Sequence, residues 1–190
     1  MFRQGIRVTL KRPLGRVFLR SYSTYYDLFP KTFPNGPPPK GQFMVDKGSL
    51  KREYIQLQSE SHPDKAVNQD IEDDGKSSQI SVAYKALLNP LHRAENILLS
   101  RGVDALAEKD SLTDEELLMD VLMARESIAD AETREDLEQI RKENDSRIAE
   151  SEKILDQAFQ KDDLEAARAE TVKLSYWQSI RHQINEKENS

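Results

Sequence analysis

The sequence predicts an all-α protein, built as a helical hairpin followed by a small antiparallel three-helix bundle. After residue 46, apolar residues recur at spacings of three and four along most of the chain, which is the period of one helix face. The sequence contains no run of alternating β-branched residues, so it does not predict a strand. Short breaks separate the helical stretches, and short connections favour antiparallel neighbours.

Composition limits the classes of protein and partner. With 190 residues, 33% of them charged and 37% hydrophobic, the chain suits one compact domain or two small ones. No stretch approaches the roughly 20 consecutive apolar residues of a spanning helix, so we expect no membrane contact. Without cysteine the chain has no thiolate for zinc or an iron–sulfur cluster. We therefore expect no bound cofactor or metal.

Residues 1–23 differ in charge from the rest of the chain. They carry six cations and no acid, whereas the remainder has a net charge of −12. Apolar residues lie between those cations, which is typical of a mitochondrial transit peptide, and Arg20-Ser21-Tyr22 resembles a processing site. A basic nucleic-acid-binding tail is the alternative, but the acidic remainder would repel phosphate. We expect a protein of the mitochondrial matrix, with no nucleic acid as partner.

The hairpin is predicted between a loop rich in proline and glycine and the Asn89-Pro90 break. A short helical turn at residues 25–29 precedes that loop. Asp46 is expected to cap a first helix over residues 47–60, which Pro63 must end. After a polar loop, Ser77 or Ser78 is expected to cap the second helix, whose apolar stripe runs from Ile80 to Leu88.

Helical periodicity continues beyond Pro90. The expected helices cover residues 91–100, 113–130, 133–160 and 162–186. Thr113 with Glu116 has the spacing of a capping box, and Thr133 with Asp136 has it in a weaker form. Gly102 and the polar residues 161–163 mark breaks between helices.

Polar groups are concentrated at the tip of the predicted hairpin. Pro63 fixes its own φ, so His62-Pro63-Asp64 would hold an imidazole and a carboxylate in a rigid turn. The cations beside this turn are Lys47, Lys51, Arg52 and Lys65. They form either a binding strip or an ordinary solvated face, and charge alone does not decide between the two.

The predicted helix over residues 113–130 has more apolar residues than a bundle core requires. One face carries Leu117, Val121, Ala124 and Ile128. A second apolar group carries Leu118, Leu122 and Ala129, with Met119 and Met123 beyond them. Burial on all sides would explain both groups, but a bundle of a few helices rarely encloses one helix completely. The second group therefore favours a partner-binding patch, for which methionine is well suited.

Several motifs together resemble a J-domain. They are Tyr25-Tyr26-Asp27-Leu28-Phe29, Leu50-Lys51-Arg52-Glu53-Tyr54, His62-Pro63-Asp64 and Ala83-Tyr84-Lys85-Ala86-Leu87. J-domains bind DnaK-type chaperones and stimulate their ATP hydrolysis. The resemblance implies that residues 62–64 dock at the junction of the chaperone's nucleotide domain and linker, and that Lys47, Lys51 and Arg52 meet its acidic surface. Residues 24–90 would form this domain.

The rest of the chain is similar to the carboxy-terminal domain of HscB-type J-proteins, co-chaperones of iron–sulfur cluster biogenesis, and most closely to mitochondrial fungal members. The similarity rests on Leu117-Leu118-Met119, Leu122, Arg125-Glu126 and Leu174-Ser175-Tyr176-Trp177. It implies an L-shaped arrangement in which residues 91–190 form a bundle that binds the cluster scaffold. The implied scaffold contacts are Leu118, Met119, Leu122 and Tyr176, with Glu126 and Asp130 adding charge. Trp177, one residue from Tyr176, turns about 100° away and is expected in the core.

The function expected on this basis is that of an adapter without catalytic residues. It would bind the scaffold, deliver it to a mitochondrial DnaK-type chaperone and stimulate ATP hydrolysis there. A J-protein that delivers a different client is one alternative. A metal-dependent hydrolase using His62, Asp64, His92 or His182 is another, but the histidines lack the i, i+4 pair of zinc proteases.

Overall fold

The computed structural model describes residues 24–60, 73–107 and 114–189. In these parts of the chain every regular element is helical, which confirms the all-α prediction. A single 3-10 turn at Tyr25–Leu28 comes first. The helices are α1 (Lys47–Glu60), α2 (Asp73–Leu88), α3 (Pro90–Ser100), α4 (Glu115–Asp130), α5 (Arg134–Gln160) and α6 (Leu164–Glu188).

Helices α1 and α2 pack against each other as the predicted hairpin. Asp46 caps α1 as expected, because its Oδ1 accepts the backbone N–H groups of Gly48 (2.9 Å) and Ser49 (3.2 Å). The apolar faces of the two helices contribute Leu50, Ile80, Ala83 and Leu87 to the core. At the edge of this contact Tyr54 and Tyr84 stack with ring centroids 4.1 Å apart. Local periodicity thus predicted this pair of helices correctly.

The predicted start of α2 at Ser77 or Ser78 is wrong, because the helix begins at Asp73. The sequence interpretation took Gly75 as the end of a loop. A glycine costs about 1 kcal/mol in a helix interior, which is small enough for a helix to continue through it. Helix α2 is therefore one turn longer than expected at its amino-terminal end.

The loop between the 3-10 turn and α1 is a packed part of the core. Its buried aromatic side chains are Phe29, Phe33 and Phe43. Gly41 permits the folding of this loop, since a Cβ there would lie 1.8 Å from the carbonyl oxygen of Gly36. Glu53 of α1 binds this loop by accepting hydrogen bonds from the backbone N–H groups of Lys31 and Thr32.

Helix α3 links the hairpin to the remaining helices and contacts both α2 and α6. The Asn89 side chain accepts the N–H of Leu91 at 2.9 Å, and Pro90 occupies the first helical position. The Asn89-Pro90 break of the sequence is therefore a helix start that separates α2 from α3 by one residue. The predicted helix over 91–100 is confirmed within one residue.

Helices α5 and α6 run antiparallel and form the most extensive helix–helix contact in the described parts of the chain. Arg141, near the start of α5, donates to the Asn185 side chain at 2.8 Å and pairs with Glu188, both near the end of α6. The connection between them is short and contains Asp162 at φ 56°. Helix α6 begins at Leu164, two residues later than predicted, because Asp163 is its N-cap.

Of the two predicted capping boxes, one is confirmed and one is wrong. Thr133 Oγ1 accepts the Asp136 N–H at 3.1 Å while the Asp136 carboxylate accepts the Thr133 N–H at 2.9 Å. At α4, however, the N-cap is Asp114, whose Oδ1 accepts the Leu117 N–H at 3.0 Å. Thr113 with Glu116 is therefore not the cap. Asp and Thr are both favoured N-cap residues, with Asp somewhat the better of the two, and sequence spacing alone does not choose between adjacent candidates.

Candidate functional site

Helix α4 presents one buried and one exposed apolar surface. Leu117, Val121, Ala124 and Ile128 are buried, as the sequence predicted. The other apolar side chains remain in solvent, with exposed fractions of 48% for Leu118, 57% for Met119, 60% for Leu122 and 59% for Met123. We call these last four residues the apolar face of α4. Since each pair at i and i+4 lies one helical turn apart, they form one continuous patch.

Both ends of α4 are fixed. Asp114 caps the first turn. At the other end the Lys187 ammonium group, from the last turn of α6, donates to the carbonyl oxygens of Ile128 and Ala129, the latter at 2.7 Å. The packing contacts of α4 are with α6 and α5, which cover its buried side. The apolar face therefore lies on a helix held at three places and uncovered by the described chain.

Tyr176 and Trp177 separate as predicted. Trp177 is buried, its ring lies 5.0 Å from the Arg147 guanidinium, and its carbonyl accepts the Asn144 side chain at 2.9 Å. Tyr176 is half-buried and packs against the core on α6, the helix that neighbours α4. The Trp177 core prediction is therefore confirmed. Tyr176 keeps part of its ring accessible.

The charged residues assigned to the scaffold contact are both on α4 and both in solvent. Glu126 and Asp130 are exposed one turn apart, beyond the apolar face toward the end of the helix. Asp130 is the last residue of α4. These carboxylates could add polar contacts at the rim of a partner bound on the apolar face.

Helix α1 carries a second candidate surface, formed by Lys47, Lys51 and Arg52. All three are exposed, and Arg52 donates to the Ser49 hydroxyl at 2.8 Å. The nearest acid along the helix points inward: buried Glu53 accepts the backbone N–H groups of Lys31 at 2.9 Å and Thr32 at 2.6 Å. No other acid lies in the middle of α1, so no carboxylate of that part of the helix neutralises these three cations.

One acid does lie at the start of this basic strip. Asp46 sits beside Arg52, and hydrogen bonds from Ser49, first of all that of its hydroxyl, lower the pKa of Asp46 below its ordinary value, with Arg52 adding a smaller effect. This carboxylate is committed to capping α1. His62, Pro63 and Asp64, the other residues predicted to bind the chaperone, lie outside the described residues.

Sequence reasoning missed the residue that joins the hairpin to the bundle, Arg93. Its fully buried guanidinium donates to the Leu87 carbonyl at 2.7 Å, pairs with Glu152 of α5, and lies 4.5 Å from the centre of the Phe43 ring. A signal was available, because Arg93 lies four residues before buried Ile97 and so on the apolar stripe of α3.

The loop ahead of α1 is attached to α5 by two further contacts near Arg93. The Phe43 N–H donates to the Asp156 carboxylate at 3.3 Å, and the Gln160 side chain donates to the Gly41 carbonyl at 2.9 Å. Arg93 also faces Tyr26, whose pKa is raised by burial.

The described residues include neither a metal-binding cluster nor a membrane-spanning helix. Residues 24–60, 73–107 and 114–189 contain no group of three or more His, Asp or Glu side chains that could hold a metal ion. The helices of these same segments include none with the length and apolar character needed to cross a membrane. His92 and His182, considered above as metal ligands, are exposed and lie beside Glu95 and Glu186 respectively.

Comparison with known proteins identifies relatives of both the carboxy-terminal helices and the chain as a whole. Residues 113–185 match the family described as the HSCB C-terminal oligomerisation domain. The chain is 34% identical over 166 residues to the mitochondrial J-type co-chaperone Jac1 of Saccharomyces cerevisiae, covering 85% of this chain and 86% of that protein. It is 28% identical over 146 residues to the iron–sulfur cluster co-chaperone HscB of Homo sapiens, covering 75% of this chain and 62% of that protein.

A solved structure supports the same relationship. The Jac1 co-chaperone from Saccharomyces cerevisiae superposes with a TM-score of 0.69 at 31% identity, over 86% of this chain and 95% of that chain. The similarity thus extends over the hairpin and the bundle. The chain belongs to the HscB/Jac1 family of J-type co-chaperones of iron–sulfur cluster biogenesis, as a mitochondrial, fungal-like member.

Proposed function

We propose that this co-chaperone binds the iron–sulfur cluster scaffold protein, delivers it to a DnaK-type chaperone of the mitochondrial matrix, and stimulates ATP hydrolysis by that chaperone. The observation that carries the proposal is the apolar face of α4. Four adjacent large apolar side chains, each about half exposed or more, are unusual on a soluble protein and typical of an interaction surface. Family membership supports the scaffold as the occupant.

In this proposal Leu118, Met119 and Leu122 supply the central apolar contact. Covering the exposed half of a leucine side chain contributes about 1 kcal/mol, so the two leucines together contribute about 2 kcal/mol, or roughly 30-fold in affinity. Tyr176 extends the contact onto α6. Glu126 and Asp130 lie at its rim, where charged groups affect the association rate and specificity more than affinity.

The chaperone would bind the other end of the molecule. Lys47, Lys51 and Arg52 face an acidic surface in this proposal, and residues 62–64 dock at the junction of nucleotide domain and linker. Because the three cations are exposed, their contribution is mainly electrostatic steering and is weakened by salt.

Delivery follows from holding both partners on one chain. Residues 24–90 would act as the J-domain and residues 91–190 as the scaffold-binding part, after removal of residues 1–23 as a transit peptide. A scaffold bound on α4 then experiences a raised effective concentration of chaperone. The protein itself forms and breaks no covalent bond in this scheme.

The scaffold contact is tested with Leu118→Ala/Leu122→Ala and a matched control. Leu99 of α3 is 55% exposed and outside the apolar face, so Leu99→Ala removes the same side chain from another surface. We expect the double variant to bind purified scaffold about 30-fold more weakly by calorimetry, with thermal unfolding unchanged. Leu99→Ala should bind normally. Equal binding by all three proteins contradicts the proposal, as does selective capture of a different client from a mitochondrial extract.

The chaperone contact is tested by ATPase measurements. Lys51→Glu should reduce stimulation at low salt, with a smaller effect at high salt, whereas Lys142→Glu on α5 makes the same charge change elsewhere and should not. Asp64→Ala should abolish stimulation while scaffold binding persists. If Lys51→Glu and Lys142→Glu reduce stimulation equally, the effect reflects net charge and the basic strip of α1 is not the docking surface.

A further inference from the structure

The sulfur atoms of this chain are distributed unevenly. The chain contains no cysteine and four methionines, of which Met44, Met119 and Met123 lie in the described residues. Met119 and Met123 lie one turn apart on the apolar face of α4, with exposed fractions of 57% and 59% respectively. Met44, in the loop before α1, is 44% exposed.

We infer that Met119 and Met123 form a peroxide-sensitive modification site that regulates docking on the apolar face of α4. This inference rests on the proposed function, because it assigns regulation to the same surface. Thioethers oxidise according to their accessibility, and among the methionines in the described parts of the chain these two have the largest exposed fractions. No thiol in the chain competes for the oxidant.

The chemical step is oxygen transfer from a hydroperoxide to sulfur. A lone pair of the thioether sulfur attacks one peroxide oxygen, so an S–O bond forms as the O–O bond breaks. Sulfur loses two electrons. The other oxygen leaves with the electron pair of the O–O bond, takes up the proton of the peroxide and becomes water or an alcohol. The product is methionine sulfoxide, a polar group in place of an apolar one.

The position of these methionines separates the effect on binding from any effect on folding. Helix α4 is held to the bundle by its buried side, of which Leu117 and Val121 are part. Neither methionine contributes to that side, so a sulfoxide on the exposed side leaves the core packing in place. When a protein partner covers the apolar face, however, the sulfoxide oxygen loses its hydrogen bonds to water and gains no hydrogen-bond donor in their place. Such a loss weakens binding on the order of tenfold for each covered sulfoxide.

The first measurement maps the oxidation. The full chain is treated with hydrogen peroxide, the peroxide is removed, and peptides are analysed by mass spectrometry at several times. We expect sulfoxide to accumulate at Met119 and Met123 faster than at Met44. If Met44 reacts first, or if all three react at the same rate, the accessibility argument is wrong. This readout does not depend on whether the scaffold is the partner.

The second measurement is scaffold binding by the treated and untreated co-chaperone. Oxidised wild type should bind roughly 10- to 100-fold more weakly, and the two stereospecific methionine sulfoxide reductases should restore binding. Met119→Leu/Met123→Leu keeps both positions apolar but removes both sulfur atoms, so its affinity after peroxide should equal its own affinity before treatment. Met44→Leu, the control, should lose affinity as wild type does.

The outcomes separate this inference from the proposed function. If untreated wild type fails to bind scaffold, the proposed function is wrong, whatever the oxidation map shows. If untreated protein binds and oxidation at both positions leaves affinity unchanged, the regulatory inference is overturned while the docking proposal stands. Loss of affinity that persists in the double leucine variant also overturns the inference, because another residue is then the sensitive one.

Discussion

Replacement of Arg93 by methionine should destabilise the protein more than any other single charge removal near the hairpin. The guanidinium is fully buried, and three groups depend on it: the Leu87 carbonyl, the Glu152 carboxylate and the Phe43 ring. Methionine can fill much of the space and contact the ring, but it donates no hydrogen bond. The variant therefore leaves a carbonyl and a carboxylate without their donor.

The magnitude follows from the burial of Glu152. Breaking a fully buried ion pair costs about 3–5 kcal/mol, and a hydrogen bond to a charged group contributes about 1.5–3 kcal/mol. The Glu152 side chain is 20% exposed, so water can hydrate part of its carboxylate. We expect Arg93→Met to lower the free energy of unfolding by about 3 kcal/mol.

A double-mutant cycle with Glu152→Gln separates the energy of the Arg93–Glu152 ion pair from that of the other contacts of Arg93. In the double variant no charge is left uncompensated, so its loss should be about 1–2 kcal/mol smaller than the sum of the two single losses. Arg101→Met provides the matched control. Arg101 pairs with Asp162 at 2.8 Å on the surface, and its replacement should cost less than about 1 kcal/mol.

The assay is urea unfolding at pH 7, followed by circular dichroism for all helices and by fluorescence of Trp177, the single tryptophan. Coincident transitions from the two probes justify a two-state treatment. Single losses that add to within about 0.5 kcal/mol would refute the reasoning, because they would mean that the carboxylate gains nothing from the guanidinium. An equal loss in Arg101→Met would refute it as well.

Three further predictions concern the helix ends and the loop before α1. Thr133→Ala removes the acceptor of the α5 cap and should cost about 1 kcal/mol in urea unfolding; no change would mean that water replaces it. Glu53→Gln should cost about 1.5–3 kcal/mol in the same assay, because its amide can accept from only one of the two backbone N–H groups that the carboxylate now binds, and a variant as stable as wild type would contradict this contact. The pKa of Asp46 is lowered in the folded state, so its charge stabilises the protein above the ordinary value of 3.8 and this contribution is lost as pH falls through the lower folded value. Asp46→Asn keeps a capping side chain; its stability deficit should therefore be present at pH 6 and absent at pH 2, and a deficit equal at both pH values would exclude the carboxylate charge as its cause.

Features set by local sequence were predictable, and features set by distant partners were not. The bounds of α1, the two apolar surfaces of α4 and the core position of Trp177 all follow from helical periodicity over a few residues. The burial of Arg93 depends on Phe43 and Glu152, which lie 50 and 59 positions away along the chain. No local pattern shows that a cation will meet those groups.

The same distinction between local and distant causes applies to the candidate site on α4. The exposed side of α4 could be predicted because its apolar residues outnumber those that one core stripe needs. The attachment of its far end could not, since Lys187 is 58 residues from Ala129. The cap of α4 shows a third limit: Thr113 and Asp114 are adjacent polar residues, and only the backbone path decides which of them faces the first turn.

The bond from Lys187 makes the last turn of α6 a structural support for α4. The lysine ammonium group closes the last turn of α4 by binding its free carbonyl groups. A proteolytic cut in α6 before Lys187 would separate the lysine from those carbonyl groups. Such nicking would loosen the far turn of α4 while the tryptophan-centred interior of the bundle stays closed, so preparations used for binding measurements should be checked by intact mass.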